Sequence, residues 1–181
     1  MEKFYDKKDV ISKLIDLDQE LNEYNLPYKL EFIIFGGTAF MLHAEFRATL
    51  DIDAIFNFQA DKRIRALLYK YNVNESMRSV MEVPPFEEFY PRCQLLNIPF
   101  NNLRVLLPSI EDLILSKLFS SRGIDKDGQD LINSDLIDQC DLDKLKKMYY
   151  DYKKYVIFPD YRYNDLEEIL IAREKVKMKK K

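Results

Sequence analysis

Two aspartates, Asp51 and Asp53, stand two positions apart in the segment LDIDAIF at residues 50–56. The alternation of polar and apolar residues at the start of this segment predicts a β-strand. Side chains on a strand alternate between its two faces, so both carboxylates project to the same side. Adjacent carboxylates repel each other unless a cation lies between them. The pair therefore predicts a site for a hard divalent cation with oxygen ligands, Mg²⁺ or Mn²⁺.

A second candidate group, Gly36, Gly37 and Thr38, follows the apolar run LEFIIF at residues 30–35. The run predicts a strand, and the segment TAFMLHAEF predicts a helix directly after the glycines. Glycines at the start of a helix let a phosphate approach the backbone N–H groups, and Thr38 adds a hydroxyl donor. A phosphate cradle and a carboxylate pair on neighbouring strands predict a nucleoside triphosphate site. His43, the single histidine, lies on the same predicted helix without a partner and is expected to be structural.

Each motif alone also has a structural interpretation. Two consecutive glycines often mark a turn, and two alternate aspartates on a strand also occur on a solvated sheet face. Here Ile52, Ala54 and Phe56 occupy the opposite face of the predicted strand and anchor it in a core. Ile55 shares the face of the acids, so that face is not simply polar. We therefore interpret the two motifs together as functional.

The elements that must position these residues follow a regular order. Apolar side chains at helical spacing predict amphipathic helices over residues 6–25 and 60–72. With the two predicted strands and the helix after the glycines, the order is helix, strand, helix, strand, helix. This order predicts an α/β fold with a mixed sheet flanked by helices.

The chain changes character near residue 108. Three short apolar segments before it, at residues 79–83, 93–98 and 103–107, predict short, mostly antiparallel strands that extend the sheet. Prolines and the pair Asn101-Asn102 separate these segments.

The last third of the chain is predicted to be helical. Residues that favour helix starts precede three of its segments, namely Ser109, Asp141 and Asn164. No repeat or long linker interrupts the sequence. We therefore expect a single domain over residues 1–181, with a core at about 28–108 and a C-terminal helical part at about 109–181.

Composition narrows the classes of function. Hydrophobic residues make up 47% of the 181 residues, as expected for a globular protein, and the net charge of -3 requires neither nucleic acid nor a membrane surface as partner. The two cysteines, Cys93 and Cys140, match no zinc or redox spacing and are expected to be free thiols. The start of the sequence has no signal-peptide pattern, and no apolar run is long enough to span a membrane. We expect a cytoplasmic protein.

The segment GGTA, followed by R-x-T-x-D-I-D, resembles the nucleotidyltransferase superfamily that includes DNA polymerase β, CCA-adding enzymes and aminoglycoside nucleotidyltransferases. The sequence is more closely similar to small bacterial nucleotidyltransferase-like proteins related to abortive-infection toxins. Those carry a later block, P-x-x-D-L-x-x-x-K-L, and then K/R-D-x-x-D. The corresponding block here is LPSIEDLILSKLFSSRGIDKDGQDL, with Pro108 one residue further from Asp112 than in that pattern. Together the two blocks span residues 30–132.

The resemblance implies roles for the first block. Asp51 and Asp53 would be the catalytic carboxylates that hold magnesium and the triphosphate. Gly36, Gly37 and Thr38 would bind its phosphates.

The resemblance also implies roles for charged residues outside that block. Lys117 would neutralise triphosphate charge, with a solvated helix lysine as the structural alternative. Arg47 would contact phosphate, or else pair with Asp51. Asp127 and Asp130 would orient Lys117 or the acceptor, or else cap the next helix.

One departure from the superfamily concerns a third carboxylate, which polymerase-type members carry on a later central strand. The candidate strand PRCQLLNI offers Gln94 and Asn97 but no acid. Glu82, Glu87 and Glu88 precede it and would substitute only if their loop folds back. This departure weakens the expectation of two-metal catalysis.

The sequence thus leads to two alternatives for function. The first is a magnesium-dependent enzyme that transfers a nucleoside monophosphate from an NTP to RNA, a protein or a small molecule. The second is an inactive nucleotide-binding or protein-interaction member of the same fold, for example one half of a toxin–antitoxin pair with a cognate antitoxin-type protein. Fold alone does not choose between them.

Overall fold

The computed structural model describes residue 4 and residues 6–44, 48–75, 85–120, 124–156 and 163–180. The chain divides into two compact units. Unit 1 comprises Met1–Met77 and Arg92–Pro108, and unit 2 comprises Arg78–Pro91 and Ser109–Lys181. The boundary at Pro108 coincides with the predicted change from sheet to helices. The grouping of residues 1–181 into one domain stays a prediction.

Unit 1 is built on a five-stranded mixed sheet. Its strands are β1 (Leu30–Ile34), β2 (Ile52–Phe56), β3 (Val73–Asn74), β4 (Gln94–Leu95) and β5 (Leu103–Leu107). Their spatial order is β3-β2-β1-β5-β4. The β1–β2 and β4–β5 pairs are antiparallel, whereas β1–β5 and β2–β3 are parallel. The α/β class and the mixed sheet are therefore confirmed.

The middle of the chain differs from the prediction in two ways, and one predicted segment is not tested. The segment at 103–107 forms a strand, but β5 lies beside the central strand and runs parallel to it. The segment at 93–98 contributes only the two residues of β4. The segment at 79–83 lies outside the described residues. The predicted antiparallel direction is found in the β4–β5 pair but not in the β1–β5 pair, because an apolar run identifies a buried strand without giving its direction.

The described part of unit 1 also contains the α-helices α1 (Lys7–Glu20), α2 (Gly36–His43) and α3 (Lys62–Lys70). The carboxylates of Asp6 and Asp61 accept backbone N–H groups at the starts of α1 and α3, as expected for helix caps. The apolar face of α1 buries Val10, Leu14 and Leu17 completely. A short 3₁₀ helix, Leu21–Tyr24, follows α1 where the sequence predicted that the α-helix continues.

The start of β5 is anchored by a buried carboxylate on α1. Asp18 accepts three backbone hydrogen bonds, from the N–H groups of Asn101, Asn102 and Leu103, at 2.8, 2.7 and 2.9 Å. The side chain of Asn102 also donates to the Asp18 carbonyl at 2.9 Å. These bonds satisfy backbone N–H groups at the entrance to the sheet, including that of the buried Leu103.

Unit 2 is mainly helical in its described part. Its α-helices are α4 (Phe86–Phe89), α5 (Ile110–Leu118), α6 (Gln129–Asn133), α7 (Leu136–Gln139), α8 (Leu142–Lys153) and α9 (Leu166–Lys180). Short segments of other helix types precede α6 (Ile124–Gly128) and follow α4 (Tyr90–Arg92). Within the described ranges, no helix combines the length and the apolar character needed to cross a membrane.

The helix starts of unit 2 match the prediction twice and depart from it once. Ser109 and Asp141 cap α5 and α8 through their side chains, as predicted. The last helix is capped by Asp165, whose Oδ1 accepts the N–H groups of Glu167 and Glu168. Asn164, the predicted cap, instead donates its side-chain amide to the carbonyl of Lys117 at the end of α5.

Candidate functional site

The start of α2 forms one side of the candidate site. Strand β1 ends at Ile34, and α2 begins two residues later at Gly36. Phe35 occupies the cap position without a side-chain hydrogen bond, and the first turn carries no acid. The first N–H groups of a helix lack partners within the helix and carry its positive dipole end. The half-exposed Gly37 lies in this turn, where the electrostatics favour an anion.

Gly36 has a second role that its position at a helix start did not reveal. Its φ angle is +60°, in the left-handed region that favours glycine. A Cβ added to Gly36 would lie 2.6 Å from Oδ2 of Asp53, closer than real side-chain contacts allow. The missing side chain therefore makes room for the Asp53 carboxylate. This contact places Asp53 directly at the start of α2.

Asp53 reaches this position because β1 and β2 pair side by side. The register joins Ile34 to Ala54, and the Phe35 N–H donates to the Asp53 carbonyl at 2.8 Å. Asp53 is half-buried, between the fully buried Ile52 and Ala54. The predicted adjacency of the glycines and the acids on neighbouring strands is thus present in the structure.

Asp51 lies just before β2 and is held through its backbone. The hydroxyl of Thr38 donates to the Asp51 carbonyl at 2.6 Å, and Thr38 itself is 1% exposed. The Thr49 hydroxyl donates to the same carbonyl at 3.4 Å. In this structure the hydroxyl of Thr38 therefore serves to connect α2 to the aspartate pair. Its backbone N–H remains part of the first turn of α2.

Asn74 is a member of the site that the sequence analysis missed. It lies on β3, which pairs with β2 in parallel, so that Asn74 is directly opposite Asp53. Its Nδ2 donates to Oδ2 of Asp51 at 3.3 Å. The two-residue strand β3 is too short to show an alternating pattern, so no strand signal marked it.

The side chains of Asp51, Asp53 and Asn74 carry donor atoms of the types that suit a hard divalent cation. Asp51 and Asp53 supply carboxylates, and the side chain of Asn74 carries an amide oxygen, all of which are ligands that magnesium accepts. In the described part of the chain, no group of three or more His, Cys, Asp or Glu residues is placed to hold a metal ion.

The segment PRCQLLNI, which was expected to carry a third carboxylate, does not lie beside β2 and its aspartates. Strand β4, with Gln94, is at the opposite edge of the sheet, separated from β2 by β1 and β5. Glu88 belongs to unit 2, where its Oε2 accepts a hydrogen bond from the hydroxyl of Tyr152 at 2.6 Å. Glu82 lies outside the described residues. The edge strand next to β2 is β3, which presents the neutral Asn74.

The charged residues of the second sequence block form their own cluster in unit 2. The ammonium of Lys117 forms ion pairs with Asp127 and, at 2.9 Å, with Asp130. All three residues are buried, with 3%, 0% and 5% of their surfaces exposed. The expected contact of Asp127 and Asp130 with Lys117 is present, and the solvated-lysine alternative does not apply. Arg47 lies outside the described residues.

His43 ends α2 and has a structural environment. Its Nε2 lies 3.1 Å from the carbonyl of Pro108, at the end of β5. A carbonyl only accepts hydrogen bonds, so Nε2 carries the proton. Burial lowers the pKa of His43, although the bond to Pro108 partly opposes this effect and nearby Lys7 adds to it. The histidine therefore connects α2 to β5 in its neutral form.

Comparison with known proteins agrees with the geometry at the level of the family. No match to the chain was found among curated proteins or among solved structures. A family model covers residues 12–181, nearly the whole chain. The chain therefore belongs to the family described as "Nucleotidyltransferase of unknown function (DUF6036)".

Proposed function

We propose that this protein is a magnesium-dependent nucleotidyltransferase that moves a nucleoside monophosphate from an NTP to an acceptor. The observation that carries the proposal is the position of the Asp53 carboxylate against Gly36, at the start of α2, where the cap residue Phe35 offers no side-chain hydrogen bond. A helix end that attracts phosphate and a carboxylate pair that attracts a cation meet at one place. Family membership supports the same class of chemistry.

In this proposal the N–H groups at the start of α2 bind phosphate oxygens of the NTP. Gly36 and Gly37 permit close approach, and the helix dipole favours the negative charge. Asp51 and Asp53 would hold magnesium, which would neutralise charge on the phosphates and on the α-phosphoryl oxygens in the transition state. Without a cation, the two carboxylates would oppose a triphosphate by like-charge repulsion.

The transfer itself is an in-line displacement. A hydroxyl of the acceptor forms a new bond to the α-phosphorus while the bond from that phosphorus to the bridging oxygen of the β-phosphate breaks. Pyrophosphate leaves, and the hydroxyl proton is lost to solvent. Most of the catalytic effect in such reactions comes from positioning and charge stabilisation. Roles for Arg47 and Lys117 in nucleotide binding remain predictions.

A label-transfer assay tests the proposal. The protein is incubated with each α-³²P-labelled NTP and magnesium, together with total RNA, protein lysate or a small-molecule extract. We expect acid-stable label on one acceptor class with wild-type protein and at least about a hundredfold less with Asp53→Asn. Asp16→Asn is the matched control, since Asp16 is an exposed residue of α1. Equal transfer by wild type and Asp53→Asn would refute the proposed active site.

A second candidate function is nucleotide binding without transfer. It is favoured by the observation that no three-carboxylate group is present in the described residues. In that case wild-type protein binds an NTP with magnesium, yet no label moves to any acceptor. Failure to bind any NTP would instead favour a protein-interaction role, of which an antitoxin-type partner is one example.

A further inference from the structure

We propose that Asn74 is a positioning residue of the cation site and that its neutral amide limits the affinity of the site for divalent cations. This inference rests on the proposed function, because it concerns the same cation. The inference goes beyond the proposed function in two respects: it assigns Asn74 to the cation site, and it assigns that site a limited affinity. Neither the aspartate motif nor the family indicates these two points. The relevant atoms are the side-chain amide of Asn74 and the carboxylates of Asp51 and Asp53.

The placement of Asn74 follows from strand register. Residues paired across parallel strands point to the same face of a sheet, and Asp53 pairs with Asn74. On the opposite face, their preceding neighbours Ile52 and Val73 are both completely buried. The hydrogen bond from Asn74 Nδ2 to Asp51 Oδ2, 3.3 Å long, shows that Asp51 shares this face. One face therefore carries two carboxylates and one amide.

The turn before β3 fixes this register. Asn72 adopts the left-handed conformation with φ of 59°, which asparagine tolerates better than most residues. Its carbonyl accepts the Ile52 N–H at 2.8 Å, and its own N–H donates to the Tyr69 carbonyl at 3.0 Å. Asn74 is thus held two residues beyond a defined turn.

The chemistry of the amide explains both parts of the inference. An amide donates through nitrogen, which orients the Asp51 carboxylate, and it accepts or ligates through oxygen. It brings no charge. An aspartate at this position would add a third negative charge beside the other two, and such a group is stabilised chiefly by a bound cation. Substituting aspartate should therefore increase cation affinity, whereas removing the amide should decrease it.

Titration of the full chain with Mn²⁺ in the absence of nucleotide, followed by electron paramagnetic resonance, tests this inference. We expect Asn74→Asp to bind Mn²⁺ about tenfold more tightly than wild type. We expect Asn74→Ala to bind it about threefold more weakly, because Asp51 loses its donor. A purely structural role would lower the affinity in both variants. Asn22→Asp is the control for added charge, since Asn22 is exposed and its side-chain oxygen accepts from Asn102, as an aspartate would.

The outcomes separate this inference from the proposed function. One possible result is that Mn²⁺ affinity depends on Asp51 but is the same in wild type and in both Asn74 variants. This result would overturn the role of Asn74 and leave the cation site intact. If wild type binds no Mn²⁺, binding by Asn74→Asp alone would support the inference, and no binding by either would overturn it. Circular dichroism checks folding. If Asn74→Asp does not fold, unchanged affinity in Asn74→Ala overturns the proposal by itself.

Discussion

Gly36 and Asp53 fit together so closely that a single methyl group on Gly36 would overlap the carboxylate, 2.6 Å from its Oδ2. We predict that Gly36→Ala destabilises unit 1 and removes metal-dependent nucleotide binding. The left-handed backbone alone costs a non-glycine residue about 1–2 kcal/mol. Displacement of Asp53 accounts for the loss of binding. Chemical denaturation measures the first effect and isothermal titration the second.

A double variant separates the two causes. Asp53→Ala removes the atoms that the new methyl group would meet, whereas the backbone strain at Gly36 remains. The destabilisation of Gly36→Ala should therefore be smaller in the Asp53→Ala background than in wild type. Strict additivity of the two substitutions would show that the close contact does not matter for stability.

Metal dependence of nucleotide binding is the second prediction. Magnesium should strengthen NTP binding by wild type, and Asp51→Asn or Asp53→Asn should remove most of that gain. Neutralising one acid removes a ligand but also relieves repulsion, so the variants should bind metal-free NTP no more weakly than wild type. Isothermal titration with and without magnesium measures both quantities. Wild-type affinity that magnesium leaves unchanged would remove the chemical basis of the proposed enzyme.

The hydrogen bond from Thr38 to Asp51 gives a third prediction. Thr38→Val keeps the shape of the buried side chain but removes the donor to the Asp51 carbonyl. We expect a loss of about 1 kcal/mol in unfolding free energy, since Thr49 still donates to that carbonyl. Thr38→Ser retains the hydroxyl and should lose less. Urea denaturation compares the three proteins, and greater stability in Thr38→Val than in Thr38→Ser would contradict the assigned role.

The buried ion pairs of Lys117 give a fourth prediction. Lys117→Met leaves Asp127 and Asp130 buried without their cation, which should cost about 3–5 kcal/mol. Lys147→Met, at an exposed position on α8, is the matched control and should have little effect on stability. Thermal denaturation measures both. Wild-type stability in Lys117→Met would mean that the two acids do not depend on this lysine.

The single histidine gives a prediction about pH. The pKa of His43 is lowered in the folded protein, chiefly by burial, so folding favours the neutral ring. The contribution of this residue to stability is therefore complete above about pH 6.5, the ordinary value. It is lost as the pH falls through the lowered value. His43→Gln should lose less stability than wild type between pH 7.5 and 5.5. Equal losses in denaturation experiments would contradict this linkage.

Local signals in the sequence predicted the parts of the fold that depend on nearby residues. The apolar runs before Gly36 and around Ala54 gave β1 and β2 within two residues of their observed ends. Capping residues such as Ser109 and Asp141 marked helix starts because each side chain bonds to an N–H within the next few residues. The meeting of the glycines with the aspartates was also predictable, because the two strands are neighbours along the chain.

Features that depend on distant residues were not predictable in this way. The parallel pairing of β5 with β1 depends on tertiary structure, and an apolar run in the sequence does not determine it. Asn74 was not predicted to belong to the site because it lies on a strand of only two residues, which is too short to show a strand pattern. Asn164 and Asp165 are adjacent and both favour helix starts, and only the packing of Asn164 against the end of α5 assigned the cap to Asp165.

The pairing of β1 with β5 also affects the order in which the protein assembles during synthesis. Leu30 pairs with Leu103, and Asp18 holds the three amides that lead into β5. A nascent chain that ends before these residues has only β2 available beside β1, and the other edge of β1 stays open. Open strand edges invite pairing with other chains. Unit 1 therefore cannot complete its sheet until β5 has emerged from the ribosome, and one edge of β1 stays unpaired by β5 during that interval.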